Sequence, residues 1–268
     1  MELYILSRPT GVTAPVVASL PHSGLHVPPR IDTLFDARHR QWLRNTDWFL
    51  PELYSFLPEL GVTTLAATHS RYVVDLNRDP RGELHGNFVQ ALVAKETAHG
   101  APVYRSEQDP NALRARVAEY HVPYHKALRD LIDETMLRFG RTLLLDLHSF
   151  MGPIANDHCI GDRHGTSSTA HTSDAFEDAL RRQNFDVVRN EPFAGGHIVR
   201  AYADPPQLEA LQLEIRYSNY IDCSLIDEQP PQLDLGRIAA AQARLRPAFV
   251  RAIAAFTAAD QLGVAADS

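Results

Sequence analysis

The chain has only two cysteines, Cys159 and Cys223, so at most one disulfide is available and a bridge-built scaffold is excluded. At 268 residues it buries enough surface on folding to need no such staple. This cysteine usage fits a reducing cytoplasm. The amino terminus, Met1-Glu2-Leu3-Tyr4-Ile5, lacks the basic segment and long apolar run of a secretory signal. No stretch reaches the ~18 uninterrupted apolar residues that a membrane span requires. Positive charge is also in short supply, with 26 Lys and Arg against 33 Asp and Glu and a formal net charge of -7. That balance excludes a general nucleic-acid binder, which presents a basic face to phosphates. It leaves acidic small molecules open, because a local group of arginines holds a carboxylate inside an acidic protein. Neither a Gly-x-Ser-x-Gly nucleophile elbow nor a phosphate-cradling Gly-x4-Gly-Lys-Ser/Thr loop occurs, which disfavours serine hydrolases and P-loop enzymes.

What is present is an alternation of apolar, β-branched runs with helical patterns, the order expected of an α/β fold with a largely parallel or mixed sheet. Strands are expected at Pro15 to Leu20, Val62 to Ala67, Tyr72 to Leu76, Thr142 to Leu147, Phe185 to Arg189 and Leu211 to Ile215. Asp109-Pro110 reads as an N-cap with proline at the first helical position, opening a helix through Arg138 that breaks or kinks before Pro123. Ser173-Asp174 precedes a helix through Arg182, and Leu235 to Ala259 forms another, bent at Pro247. The tail beyond about Gln261 is expected to fray. Without internal repeats or low-complexity linkers, residues 1–268 are expected to form a single domain.

The most informative segment is Leu143-Leu144-Leu145-Asp146-Leu147-His148-Ser149, in which a buried-strand pattern runs into an acid, a histidine and a hydroxyl. An imidazole there has to be hydrogen-bonded, charged or metal-bound. In open α/β sheets the crevice beyond the carboxyl ends of the strands takes the ligand. His22, in Leu20-Pro21-His22-Ser23-Gly24, repeats the pattern, with Gly24 permitting close backbone approach. Two histidines in the same strand-end setting favour a shared metal site over two structural residues. A catalytic zinc takes three protein ligands, and Asp47, in Asn45-Thr46-Asp47-Trp48, is the third candidate, against the alternative of a helix cap. Arg71, Asn77 and Arg78 border Tyr72-Val73-Val74-Asp75-Leu76. They read either as solvated charges on an edge strand or as donors for a carboxylate. Glu214, in the alternating Leu213-Glu214-Ile215-Arg216, either pairs with a neighbour or acts as general base toward a metal-bound water. His121 and His125 have helical metal-ligand spacing, but Pro123 interrupts them, and both are read as structural or peripheral. His158, His164 and His171, in a polar stretch, are read as surface residues.

Taken in order, Pro21-His22-Ser23-Gly24, Thr46-Asp47-Trp48, Ser70-Arg71-Tyr72-Val73-Val74-Asp75-Leu76-Asn77-Arg78, Asp146-Leu147-His148-Ser149 and Leu213-Glu214-Ile215-Arg216 resemble the N-formylglutamate amidohydrolase family from about residue 15 to about 225. The family resembles zinc carboxypeptidases and the succinylglutamate desuccinylase and aspartoacylase group. The resemblance implies a three-layer α/β/α sandwich of the phosphorylase/hydrolase type on a mixed central sheet. It implies zinc on His22 and His148, Glu214 as general base, Arg71 polarising the scissile carbonyl, and Asn77-Arg78 holding a substrate carboxylate. Where the carboxypeptidases carry a glutamate three residues after the first histidine, this chain has Leu25, so Asp47 stands in as the third ligand. Gly195-Gly196-His197 matches a late glycine-rich loop, which places Gly196 and His197 at the substrate. The implied reaction is hydrolysis of the small molecule N-formyl-L-glutamate to formate and L-glutamate in histidine degradation. The alternatives are another N-acyl amino acid or a carboxypeptidase-like substrate at the same metal, or a catalytically silent carboxylate-binding protein.

Overall fold

A computed structural model describes residues 1–152 and 154–263. The strands are β1 (Tyr4–Ser7), β2 (Val16–Leu20), β3 (Thr63–Ala67), β4 (His85–Gly86), β5 (Val93–Ala94), β6 (Thr142–Phe150), β7 (His158–Gly161), β8 (Val187–Arg189) and β9 (Leu208–Arg216). The helices are α1 (Pro29–Asp32), α2 (Ala37–Gln41), α3 (Leu50–Leu53), α4 (Pro110–Arg116), α5 (Val122–Phe139), α6 (Ala170–Arg181), α7 (His197–Tyr202) and α8 (Leu235–Gly263). β4 and β5 pair only with each other, and the rest form one mixed sheet in the order β1-β3-β2-β6-β9-β7-β8. β3, β2, β6 and β9 run parallel, while β1 joins β3 and β7 joins β9 antiparallel.

The pleat explains why the central strands are apolar on both sides. Leu143, Leu145 and Leu147 of β6 share a face with Val16, Ala18 and Leu20 of β2 and Leu211, Leu213 and Ile215 of β9. This face packs on α3, α6 and α8. Val17, Leu144 and Ala210 face the opposite way, against Tyr124, Leu128, Leu131 and Ile132 of α5 and Ile198 and Val199 of α7. The result is the α/β/α sandwich that the resemblance implied. Leu145 is fully buried, and cutting it to alanine costs about 2 to 5 kcal/mol. Toward the carboxyl end of β6 and β9 the α5 side changes character. Asp146 and His148 follow Leu144 at two-residue steps, Gln212 and Glu214 follow Ala210, and the ladder pairs Asp146 with Gln212 and His148 with Glu214.

The segment Tyr72 to Leu76 is not a strand. It is a buried loop, turned by Val73 N–H donating to the Ser70 carbonyl at 2.8 Å and anchored by Asp75 N–H donating to the Leu92 carbonyl at 2.7 Å. Its apolar residues reflect burial on all sides, since Tyr72, Val73, Val74 and Leu76 all pack into the α5-side core. The helix expected from Ser173 begins at Ala170, because the Thr169 side chain caps it by accepting from Thr172 N–H. The expected strand from Phe185 shortens to Val187–Arg189. The break foreseen before Pro123 is a single π-helical turn over Val117–His121, set between α4 and α5. The wider turn accommodates a residue that has no N–H and whose ring crowds the carbonyl four residues back. Asp109 caps α4 through the N–H groups of Asn111 and Ala112, as expected. α8 continues past Ala259 to Gly263, with Pro247 inside it, and the residues beyond lie outside the described set.

His158 is a buried β7 residue, not a surface one, with 1% exposure and its ring edge-on to Phe185 at 4.7 Å. The polar neighbours Asn156 and Asp157 disguised a strand that pairs with the central β9. His164 and His171 are exposed as expected. Cys159 and Cys223 are both free thiols. Among the described residues no helix is long and apolar enough to cross a membrane.

Candidate active site

His22 lies just past β2, His148 within the last turn of pleat of β6, and Asp47 in the loop before α3. Asp47 does not cap that helix, whose N-cap is Phe49 without a side-chain bond. Its backbone N–H instead donates to the His22 carbonyl at 3.1 Å, which sets its carboxylate beside the two imidazoles. Asp47 Oδ2 stands 3.0 Å from His148 Nδ1 and 3.8 Å from His22 Nδ1. All three residues are at least 96% buried. The chain can make this turn because a side chain at Gly24 would run into the backbone of Thr68 and His69.

The far nitrogen of each ring is also held. His22 Nε2 meets Asp75 Oδ1 at 2.7 Å, and His148 Nε2 meets Asp146 Oδ2 at 3.0 Å. A carboxylate accepts only from an N–H, so both rings carry a proton on Nε2; neutral His22 leaves its Nδ1 lone pair free, while His148 also donates from Nδ1 to Asp47. This carboxylate–histidine arrangement is the usual support of a metal-ligating imidazole. One ligand atom from each of His22, Asp47 and His148 lies within 4.8 Å of the others, so the donor set suits a divalent cation. The charges agree with that fit. Four acids, Asp47, Asp75, Asp146 and Glu214, are buried together against Arg71. Burial works to deprotonate His148, yet Asp146, Asp47 and Glu214 outweigh it and hold His148 protonated well above the ordinary histidine range. Binding of a cation therefore displaces that proton. His22 has no such surplus, and burial with the nearby Arg71 lowers it to about 4.

Glu214 faces this group from the adjacent strand. Burial, reinforced by Asp47 and Asp146 and opposed by His148 and Arg71, pushes its carboxyl up to about 7. Such a group exchanges protons near neutral pH. Gln212, two residues earlier on the same face, donates its amide to Glu214 Oε1 at 2.9 Å and accepts from Gly196 N–H at 2.7 Å. Gly196 presses close to Asn77, since a Cβ built on it falls 2.5 Å from the Asn77 amide.

Arg71 donates to Asp75 Oδ2 at 2.6 Å and to the Asn45 carbonyl at 3.3 Å, with its guanidinium over the Phe88 ring. Burial opposes charge on Asp75, but Arg71, Arg78 and His22 hold it well below the ordinary carboxylate value. The Asn77 amide is engaged inside the protein. It donates to Asp146 Oδ2 at 2.9 Å beside His148 and accepts from Ile198 N–H at 2.8 Å. Arg78 donates to the carbonyls of Asn77 and Phe88, and its buried Nε has no protein partner. His197, half-buried at the start of α7, lies among His121 and His125 and not at the His22–His148 pair.

Asp75, Asp146 and Gln212 are the members that motif reading passed over. Period two was the available signal for Asp146 and Gln212, each two residues before a chosen residue on the same strand face. For Asp75 it was an acid enclosed by Val74 and Leu76.

A three-layer α/β sandwich with a buried histidine–carboxylate cluster at the carboxyl ends of its central strands defines a hydrolase of amide bonds when its relatives are considered. A family model for N-formylglutamate amidohydrolase matches residues 14–221. N-formylglutamate deformylase of Pseudomonas aeruginosa is 34% identical over 229 residues, covering 81% of this chain and 84% of that protein. The Pseudomonas putida protein of the same name is 31% identical over 221 residues, covering 78% and 82%. The crystal structure of N-formylglutamate amidohydrolase from Ralstonia eutropha JMP134 superposes with a TM-score of 0.78 at 26% identity, covering 95% of this chain and 97% of that one. The chain belongs to the N-formylglutamate amidohydrolase family.

Proposed function

We propose that the chain hydrolyses N-formyl-L-glutamate to formate and L-glutamate, serving histidine degradation. The observation that carries this reading is the His22–Asp47–His148 donor set with Glu214 opposite His148 on the neighbouring strand, in a chain of this family. His22, Asp47 and His148 would hold one divalent cation, and zinc suits two imidazoles and a carboxylate; when bound it lowers the pKa of a coordinated water and polarises a carbonyl.

The residues of the chain divide the remaining work. Asp75 and Asp146 fix the two imidazoles by accepting hydrogen bonds from their Nε2–H groups. Glu214 takes a proton from the attacking water and later delivers it to the departing amine, a role matched by its position near pH 7. Gln212 holds Glu214 Oε1, so Oε2 is the oxygen that handles the proton. Arg71 supplies positive charge to the formyl oxygen as the carbon becomes tetrahedral. Arg78 binds a glutamate carboxylate through guanidinium protons not taken by the Asn77 and Phe88 carbonyls, with Asn77 bracing it and Gly196, held by Gln212, closing the substrate side; His197, expected there from the resemblance, stands apart with His121 and His125. The test compares formate release from N-formyl-L-glutamate with hydrolysis of N-acetyl- and N-succinyl-L-glutamate and a short peptide, alongside metal analysis. Preference for the formyl substrate supports the reading. No formate release by metal-loaded protein, or faster turnover of another substrate, refutes it.

A further inference from the structure

The fold brings together the histidine pair His121 and His125, which has helical metal-ligand spacing despite the intervening Pro123. The π-helical turn ending at His121 leads directly into α5, and the His121 and His125 rings stack at 4.1 Å between centroids. His197, at the start of α7, completes a cluster, its ring 5.5 Å from His125 and 6.2 Å from His121. One ring nitrogen from each lies within 4.8 Å of the others.

We propose that His121, His125 and His197 form a second metal site, separate from the His22–Asp47–His148 set, that takes a borderline transition cation such as Zn2+ through three imidazole nitrogens. The hydrogen bonding prepares these rings as ligands. His121 Nε2 donates to the Arg78 carbonyl at 3.0 Å, and His125 Nε2 donates to the Leu76 carbonyl at 2.7 Å. Backbone carbonyls accept only from N–H, so each ring carries its proton on Nε2 and its lone pair on Nδ1, the support that metal-ligating histidines ordinarily have. His197 Nδ1 is buried without a protein hydrogen-bond partner, a costly condition that a cation relieves. His125 Nδ1 faces the Tyr202 hydroxyl at 2.9 Å, but that hydroxyl has a second acceptor, the His125 carbonyl, at 3.1 Å. Tyr202 can therefore release the ring without losing its own hydrogen bond.

The distances are compatible with closure onto a cation. Nitrogens around a tetrahedral zinc stand about 3.4 Å apart for bonds of ~2.05 Å, so the rings draw in by about 1.4 Å at most. An all-imidazole set favours zinc, cobalt, nickel or copper and rejects magnesium and calcium, which require oxygen ligands. Both supporting carbonyls flank Asn77, so a cation here adds positive charge beside the segment that carries Arg78.

The experiment titrates metal-free full-length protein with Zn2+ by calorimetry and measures bound metal after gel filtration. The wild type should bind two equivalents. His197→Ala and His121→Ala should each keep the first and weaken the second by at least about 100-fold, and His148→Ala should do the reverse. Tyr202→Phe removes a competitor and no ligand, so it should tighten the second equivalent roughly fivefold. A single equivalent in the wild type overturns the proposal, as does a second equivalent that survives in both His197→Ala and His121→Ala. If the alanine variants fail to fold, Tyr202→Phe decides, and unchanged or weakened second-site binding in it refutes the site.

Discussion

Asp75 touches no proposed metal atom, yet its replacement by asparagine is expected to disturb both the fold and the metal. Its carboxylate accepts from His22 Nε2 at 2.7 Å, Arg71 Nη2 at 2.6 Å and Asn77 N–H at 2.9 Å, all in a setting 96% buried. Asp75→Asn preserves shape and an acceptor oxygen but leaves Arg71 as a buried charge without its partner. Removing one partner of a buried pair costs about 3 to 5 kcal/mol, and the retained amide places this substitution near 3. For a chain of this size that lowers Tm by about 6 to 12 °C. The amide also weakens the hold on the His22 tautomer, which should reduce metal affinity about 10- to 100-fold. Because Asp75 is held below its ordinary value of 3.8, its charge stabilises the fold fully above that pH and progressively less as pH falls below it. The deficit of Asp75→Asn should accordingly be largest at neutral pH and shrink below about pH 4. The assay is thermal unfolding of the metal-free protein across pH, with chelator competition for affinity. A variant within about 2 °C of wild type and within about twofold in affinity refutes the reasoning.

Glu214→Gln should retain its metal while formate release falls by about 10² to 10⁴, the usual range for a lost general base, and full activity would remove Glu214 from that role. Gly196→Ala drives a methyl into the Asn77 amide, so it should cost about 1 to 3 kcal/mol in chemical denaturation and impair turnover with it. His158 is kept neutral by burial and lowered to about 3. The unfolded chain takes up a proton near pH 6.5 that the folded one refuses, so stability is lost as pH falls from there toward 3, by ~1.4 kcal/mol per pH unit at most. His158→Leu should flatten that dependence, and an unchanged slope between pH 6 and 4 would show that His158 does not contribute.

The sandwich was readable from the sequence because β2 and the first half of β6 spell continuous apolar runs, while β3 is apolar from Leu65 on and β9 keeps an apolar residue at every second position from Leu211 to Ile215 even where polar ones intervene. Tyr72 to Leu76 spells the same pattern for another reason, since a loop enclosed by core is as apolar as a strand. His22, Asp47, His148 and Glu214 were legible because a polar residue at the carboxyl end of a buried strand, or an acid near one, demands a partner. The support shell was not, because the bond from Asp75 to His22 joins residues 53 apart and that from Asn77 to Asp146 joins residues 69 apart. Sequence spacing carries no trace of such contacts. The His121–His125 pair was set aside on a sound rule about proline that a π turn evades.

The pairing of Asp146 with Gln212 and His148 with Glu214 constrains how such a chain can diverge. Each strand presents leucines to one helical layer and its acid, amide or imidazole to the other, so inserting or deleting one residue in β6 or β9 trades the two sets. Asp146, His148, Gln212 and Glu214 would be pressed into a hydrocarbon layer and leucines turned toward the crevice that holds Asp47. A one-residue length change in these strands is therefore far more disruptive than one in the loops, where no ladder register is at stake.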